Sequence, residues 1–153
     1  MITTTFRTLT LVAATLLATQ AGAQATTDNL VAANTDWSTF EAENPRECIS
    51  TSAPKQSLLT DSAGNATDGR RGDIYLMVFY RPSENVKGQI MFTGGYPFAP
   101  GSTVNLNVSG TTFELFTEGE YAWRSGRGNI TTDTFSLSGF TAAVEEAANR
   151  CAG

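Results

Sequence analysis

Two cysteines and a complete lack of histidine set the chemical limits of this chain. Cys48 and Cys151 offer thiols, and a thiol does one of three things: it attacks, it cycles redox, or it crosslinks. Attack calls for a base beside the sulfur and redox cycling favours a C-x-x-C pair, and neither accompanies either residue. Crosslinking is left, if the chain reaches an oxidising compartment, where two cysteines most simply pair with each other. A bond between them would close a loop of about 100 residues, for which chain entropy gives about 4.7 kcal/mol.

The carboxylates and arginines form weaker groupings. The run from Asp61 through Asn65 to Asp68 and Gly69 gathers oxygen ligands around glycines, as a calcium loop does, yet Ala63 takes a ligand position and no closing Glu follows. A polar hairpin loop explains it. Arg71-Gly-Asp73 is an adhesion tripeptide only when a loop tip presents it. Here it runs straight into an apolar strand, so Asp73 is expected to face Arg70 or Arg71 across a turn. Arg124 and Arg127, the latter within Ser125-Gly-Arg-Gly128, make a small basic loop able to hold an anion, or simply a solvated one. Glu118 and Glu120 flank Gly119 near Trp123 and lack a second acidic cluster to face across a cleft. Three Asn-x-Ser/Thr sequons, at Asn65, Asn107 and Asn129, carry no function outside a eukaryotic secretory route. No catalytic constellation emerges, no cofactor or metal is called for, and the chain reads as a non-enzyme.

One further surface is a candidate for binding. From Gly94 to Gly101 the chain alternates Gly and Pro with aromatic residues, and Tyr96 and Phe98 offer apolar area on a backbone of restricted freedom. The competing expectation is that the same rings tuck into the core.

The elements that position these groups read as mainly β. The chain has 153 residues, 41% hydrophobic and 16% charged, which suits one ordered domain. With 10 basic against 15 acidic side chains it carries no footprint for nucleic acid or a polybasic membrane patch. Short apolar runs separated by Gly, Pro, Asn and Asp predict strands over 36–40, 47–52, 55–60, 74–81, 86–93, 103–108, 112–117 and 132–137. Val104, Leu106 and Val108 alternate with polar residues, Ser109-Gly110 turns the chain, and Phe113 and Leu115 resume the alternation, which predicts a hairpin. The continuous apolar run from Ile74 to Tyr80 predicts a central strand covered on both faces. Phe140, Ala143, Val144, Ala147 and Cys151 recur at helical spacing, so an amphipathic helix capped by Ser138 is expected to lay Cys151 and its Ala-rich stripe on the sheet. The fold class is an antiparallel β-sandwich or barrel-like domain with one C-terminal α-helix pinned by a disulfide.

The first segment reads as an address. Leu9 to Ala18 is apolar apart from Thr10 and Thr15, and Ala21-Gly-Ala23 supplies the small residues that signal peptidase requires. Residues 1–23 are therefore expected to be a signal peptide, with Ala23-Gln-Ala25 as a second register. The run is about half the length of a membrane span, and no Cys follows it to accept a lipid. Residues 24–35 are small and polar and read as a flexible leader, and 36–153 as the domain. The protein is expected to be exported, to the periplasm, the outer envelope or the medium.

An ordered string of motifs runs through the domain: Trp37 with Phe40, Cys48 and the Pro54 segment, Arg70-Arg-Gly-Asp-Ile74, Phe79-Tyr-Arg-Pro82, Val86-Lys-Gly-Gln89, Phe92-Thr-Gly-Gly-Tyr-Pro-Phe98, Phe113-Glu-Leu-Phe116, Ala122-Trp123, Ser125-Gly-Arg-Gly128, Asp133-Thr-Phe-Ser-Leu137, Gly139-Phe-Thr-Ala142 and the terminal Cys151. Together they closely resemble the invasion-associated locus B family of alphaproteobacteria, first linked with entry of a pathogen into red cells and found widely in non-pathogens. The resemblance implies an exported, periplasmic or envelope-associated, β-rich protein without known enzymatic activity, with host-cell interaction in pathogenic relatives, and the expected partner is a protein or envelope component. It also implies that Cys48 and Cys151 are the family's paired cysteines. Alternatives within that resemblance are a periplasmic enzyme or envelope-maintenance factor. The chain departs from the pattern after Trp123, where the family usually carries a further helical stretch and strand and Arg124 follows here at once. That departure also admits a shortened copy without function.

Overall fold

The computed structural model describes residues 29–98, 103–116 and 129–151. Among these lie nine strands: β1 (Leu30–Asn34), β2 (Trp37–Glu43), β3 (Arg46–Ser52), β4 (Gln56–Thr60), β5 (Ile74–Arg81), β6 (Val86–Gly94), β7 (Thr103–Val108), β8 (Thr111–Phe116) and β9 (Ile130–Thr134). A helix, α1 (Phe140–Cys151), ends the described chain. Five strands build one antiparallel sheet in the order β1-β2-β3-β5-β6, and two antiparallel pairs, β4 with β9 and β7 with β8, stand apart from it. The fold is thus mainly β and antiparallel, with a single C-terminal helix.

Side-chain size explains how the helix approaches the sheet. On β2 and β3 the face toward α1 carries Thr39, Cys48 and Ser50, all fully buried, and α1 answers with Ala143 and Ala147, also fully buried. Small residues on both sides let the backbones come close, and the buried hydroxyls then need partners. Thr39 Oγ1 and Ser50 Oγ both donate to the Ala143 carbonyl, at 3.1 and 2.7 Å. Trp37 seals the neighbouring corner at 1% exposure. Its ring meets Phe140 edge-on at 4.9 Å, and its Nε1–H donates to the Ser136 carbonyl at 2.8 Å. The polar handle of a buried indole is satisfied in this way. Leu76 and Val78 of β5 complete the buried cluster.

The far end of α1 is held covalently. Cys151 is bonded to Cys48 of β3, with Cα atoms 5.9 Å apart, and Ala147 packs beside both. Arg150 adds ion pairs to Glu41 at 3.0 Å and to Glu146 at 2.6 Å. These carboxylates raise the Arg150 pKa, through the hydrogen bond to Glu41 first.

Several expectations need correction. Residues 30–34, assigned to a flexible leader, form β1, which pairs with β2 through a tight turn at Thr35, whose φ is 55°. Backbone pairing requires no large side chains, so a run as small as Leu30 to Asn34 carries little sign of it. The Asn29 carbonyl already accepts from the Glu41 N–H at 2.9 Å. The strand expected over 132–137 is β9, which begins at Ile130 and ends at Thr134. Phe135 then leaves the sheet to pack on the core. Gly139, and not Ser138, flanks α1, because its carbonyl accepts the Ala143 N–H at 3.0 Å. A side chain is not tolerated there: φ is +87°, and a Cβ would overlap the Asn34 carbonyl. Finally, β5 is sealed on one face only. Leu76 and Val78 are buried, whereas Met77 and Phe79 on the other face are half-buried and Tyr75 is exposed.

Candidate functional site

Among the described residues a concavity lies between the helix-side face of the sheet and the separate strand pairs. It is a cavity of about 540 Å³, within the range of small-molecule sites. Leu76 of β5, Phe92 of β6 and Phe135 form its floor. Val104 and Leu106 of β7 with Leu115 of β8 make one wall, and Ile130 to Asp133 of β9 make another. Alternation positions the first wall, since Val104 and Leu106 are half-buried while Thr103, Asn105 and Asn107 are exposed. The turn that folds this hairpin is Ser109-Gly110, with φ of 50° and 89°, the left-handed pair that suits a two-residue connection.

Tyr96 and Phe98 also line the cavity, and the structure explains what turns them inward. The Arg71 guanidinium forks onto Asp133, with Nη1 to Oδ1 at 2.7 Å and Nη2 to Oδ2 at 2.6 Å. Its Nε–H donates to the Gly94 carbonyl at 2.8 Å, and the guanidinium lies over the Tyr96 ring, 5.3 Å from its centre. One side chain therefore ties β9 to the end of β6 and stacks the loop ring in place. Ser57 of β4 donates to Asp133 Oδ1 at 2.7 Å, and the Tyr96 hydroxyl shares a 2.5 Å hydrogen bond with Thr131 Oγ1. Phe98 meets Tyr96 edge-on at 5.4 Å and lies 6.0 Å from Phe92. The Arg71 and Asp133 side chains are only 10% and 3% exposed, so this is a nearly desolvated bidentate pair.

Measured against the sequence-based candidates, the structure joins some and separates others. Tyr96 and Phe98 belong to one site but form a cavity wall, between the exposed surface and the sealed core that were the two expectations. Arg71 leaves Asp73 aside and pairs with Asp133 instead. Nothing local marks that contact, which spans 62 positions in the chain. The Asp61 loop turns inward on itself: Oδ1 accepts the Ala63 and Asn65 N–H groups, both at 2.9 Å. Hydrogen bonds from Asn65, the backbone one foremost, hold the Asp61 pKa below its ordinary value. The loop is a polar turn, as expected, and among the described residues no group of acidic or cysteine side chains is placed to hold a metal. Arg124 and Arg127, with Glu118, Glu120 and the Ser125–Gly128 segment, lie outside the described residues. Cys48 and Cys151 meet as the disulfide. Among the described residues no helix is long and apolar enough to cross a membrane. No family model, curated protein or solved structure matches the chain significantly.

Proposed function

We propose that this is an exported binding protein of the invasion-associated locus B type, which holds a ligand from the bacterial envelope without turning it over. The observation that carries the reading is the cavity walled by Tyr96 and Phe98. Among the described lining residues the one charged group, Asp133, commits its carboxylate to Arg71 and Ser57, and the other polar groups are hydroxyls and amides. Such groups suit orienting a ligand by hydrogen bonds. Export draws support from the signal-like segment of residues 1–23 and from the disulfide, which suits an oxidising compartment.

The test uses protein recovered from the periplasm, whose intact mass first reports whether residues 1–23 are gone. Incubated with an envelope extract and weighed under native conditions, it should carry a discrete one-to-one adduct that Tyr96→Ser weakens. An adduct that decays with release of a modified product would replace this reading with an envelope-directed enzyme. Recovery of uncleaved chain alone would refute export.

A further inference from the structure

The charges and apolar groups of the cavity define what it accepts, provided that the cavity is the binding site argued above. Leu76, Phe92 and Phe135 form an apolar floor that, with Leu106 of the wall, is continuous with the buried cluster around Trp37. Polar lining gathers elsewhere, at Asn129 and Thr131 near the start of β9 and at Thr103 where β7 begins. No uncompensated charge faces the space among the described lining residues, because Arg71 and Asp133 neutralise each other through two hydrogen bonds. Among the described lining residues a charged ligand entering here would leave water and find no free counter-charge, a cost that an uncharged one avoids. We propose that the cavity binds an uncharged amphiphile, its apolar chain or ring on the Leu76–Phe92–Phe135 floor and its hydroxyl- or amide-bearing head at Asn129 and Thr131.

A second apolar region must be separated from it. On the opposite face of the five-stranded sheet, Phe40, Ile49 and Phe79 stand in one cross-strand row, with Met77 paired to Met91 alongside. Met91 is 43% exposed there and offers an apolar dye a second place to bind.

The experiment measures displacement of the uncharged fluorophore N-phenyl-1-naphthylamine from the disulfide-bonded protein. Three competitors share a twelve-carbon chain: 1-monododecanoylglycerol, dodecanoate and dodecyltrimethylammonium, each below its micelle concentration. The expected result is one-to-one dye binding, with the uncharged competitor effective at a concentration at least tenfold lower than either charged one. Val104→Trp and Leu115→Trp, each filling the cavity from the hairpin, should weaken dye binding at least tenfold in whichever variant keeps the parental circular dichroism. Met91→Ser should leave binding unchanged. Equal or better displacement by a charged competitor overturns the ligand class and leaves the cavity as the site. Failure to bind the dye, or binding lost in Met91→Ser and retained in the tryptophan variants, overturns the cavity itself. The comparison of the three competitors requires no variant, so a folding defect cannot mask the answer.

Discussion

Replacing both Cys48 and Cys151 with alanine removes a crosslink across 103 positions of the chain. A loop of that length restricts the unfolded ensemble by an entropy equivalent to about 4.7 kcal/mol at 25 °C. Since domains of this size are stable by only about 5–15 kcal/mol, the loss is a large fraction of the whole. For a domain of roughly 120 residues it corresponds to a fall in Tm of about 15–20 °C. The native state should change far less. Ala143 and Ala147 remain buried, the Ala143 carbonyl still accepts from Thr39 and Ser50, and Arg150 still pairs with Glu41, so α1 stays docked. Urea unfolding followed by circular dichroism measures the first effect, and its slope should steepen because the uncrosslinked unfolded chain exposes more surface. Amide hydrogen exchange measures the second, with α1 and the sheet losing protection together. A stability loss under about 1 kcal/mol with an unchanged slope would refute the unfolded-state argument. Rapid exchange confined to α1 would refute the claim that packing alone holds the helix.

Further outcomes follow from the same contacts. Arg71→Met strands the 3%-exposed Asp133 carboxylate and should cost about 3–5 kcal/mol in urea unfolding, whereas Arg71→Met with Asp133→Leu should recover much of that loss. Gly139→Ala combines a φ of +87° with overlap on the Asn34 carbonyl and should lose well over 2 kcal/mol. Gly110→Ala has a similar φ of +89° but open space around it, and should lose only about 1–2 kcal/mol by the same measurement. Asp36 has its pKa lowered, first by the hydrogen bond from Lys55 and next by that from Ser136. A folded-state pKa below the unfolded one gives stability that is present above the unfolded value near 3.8 and lost as pH falls through the folded value. The urea midpoint should therefore drop in that acid range, and Asp36→Asn should drop less over the same interval.

How far the fold was legible depended on whether the signal was local. Strands β5 and β7 run over the ranges that their apolar run and alternation predicted, because strand periodicity repeats within a few residues. The helical stripe from Phe140 to Cys151 placed α1 for the same reason. Strand β1 is not legible in the sequence because Ala32 and Ala33 resemble a linker, and its identity comes from the backbone bonds that β2 offers. Residue preference points to Ser138 as the cap, yet the close approach of Asn34 dictates the glycine beside it.

For the site the division is sharper. The aromatic Gly-Pro loop drew attention to Tyr96 and Phe98, and composition showed that histidine chemistry was excluded. By itself the sequence determined the β class, the terminal helix and the pair of cysteines available to crosslink, since each rests on residue type or on spacing within one element. Only tertiary structure decided that Arg71 pairs with Asp133, that this pair turns Tyr96 inward, and that a cavity opens between β5, β6, β7 and β9. The physical reason is that a guanidinium binds whichever carboxylate the folded backbone brings within reach. A cavity is likewise a property of surfaces from several strands at once, and no single stretch of chain encodes its walls.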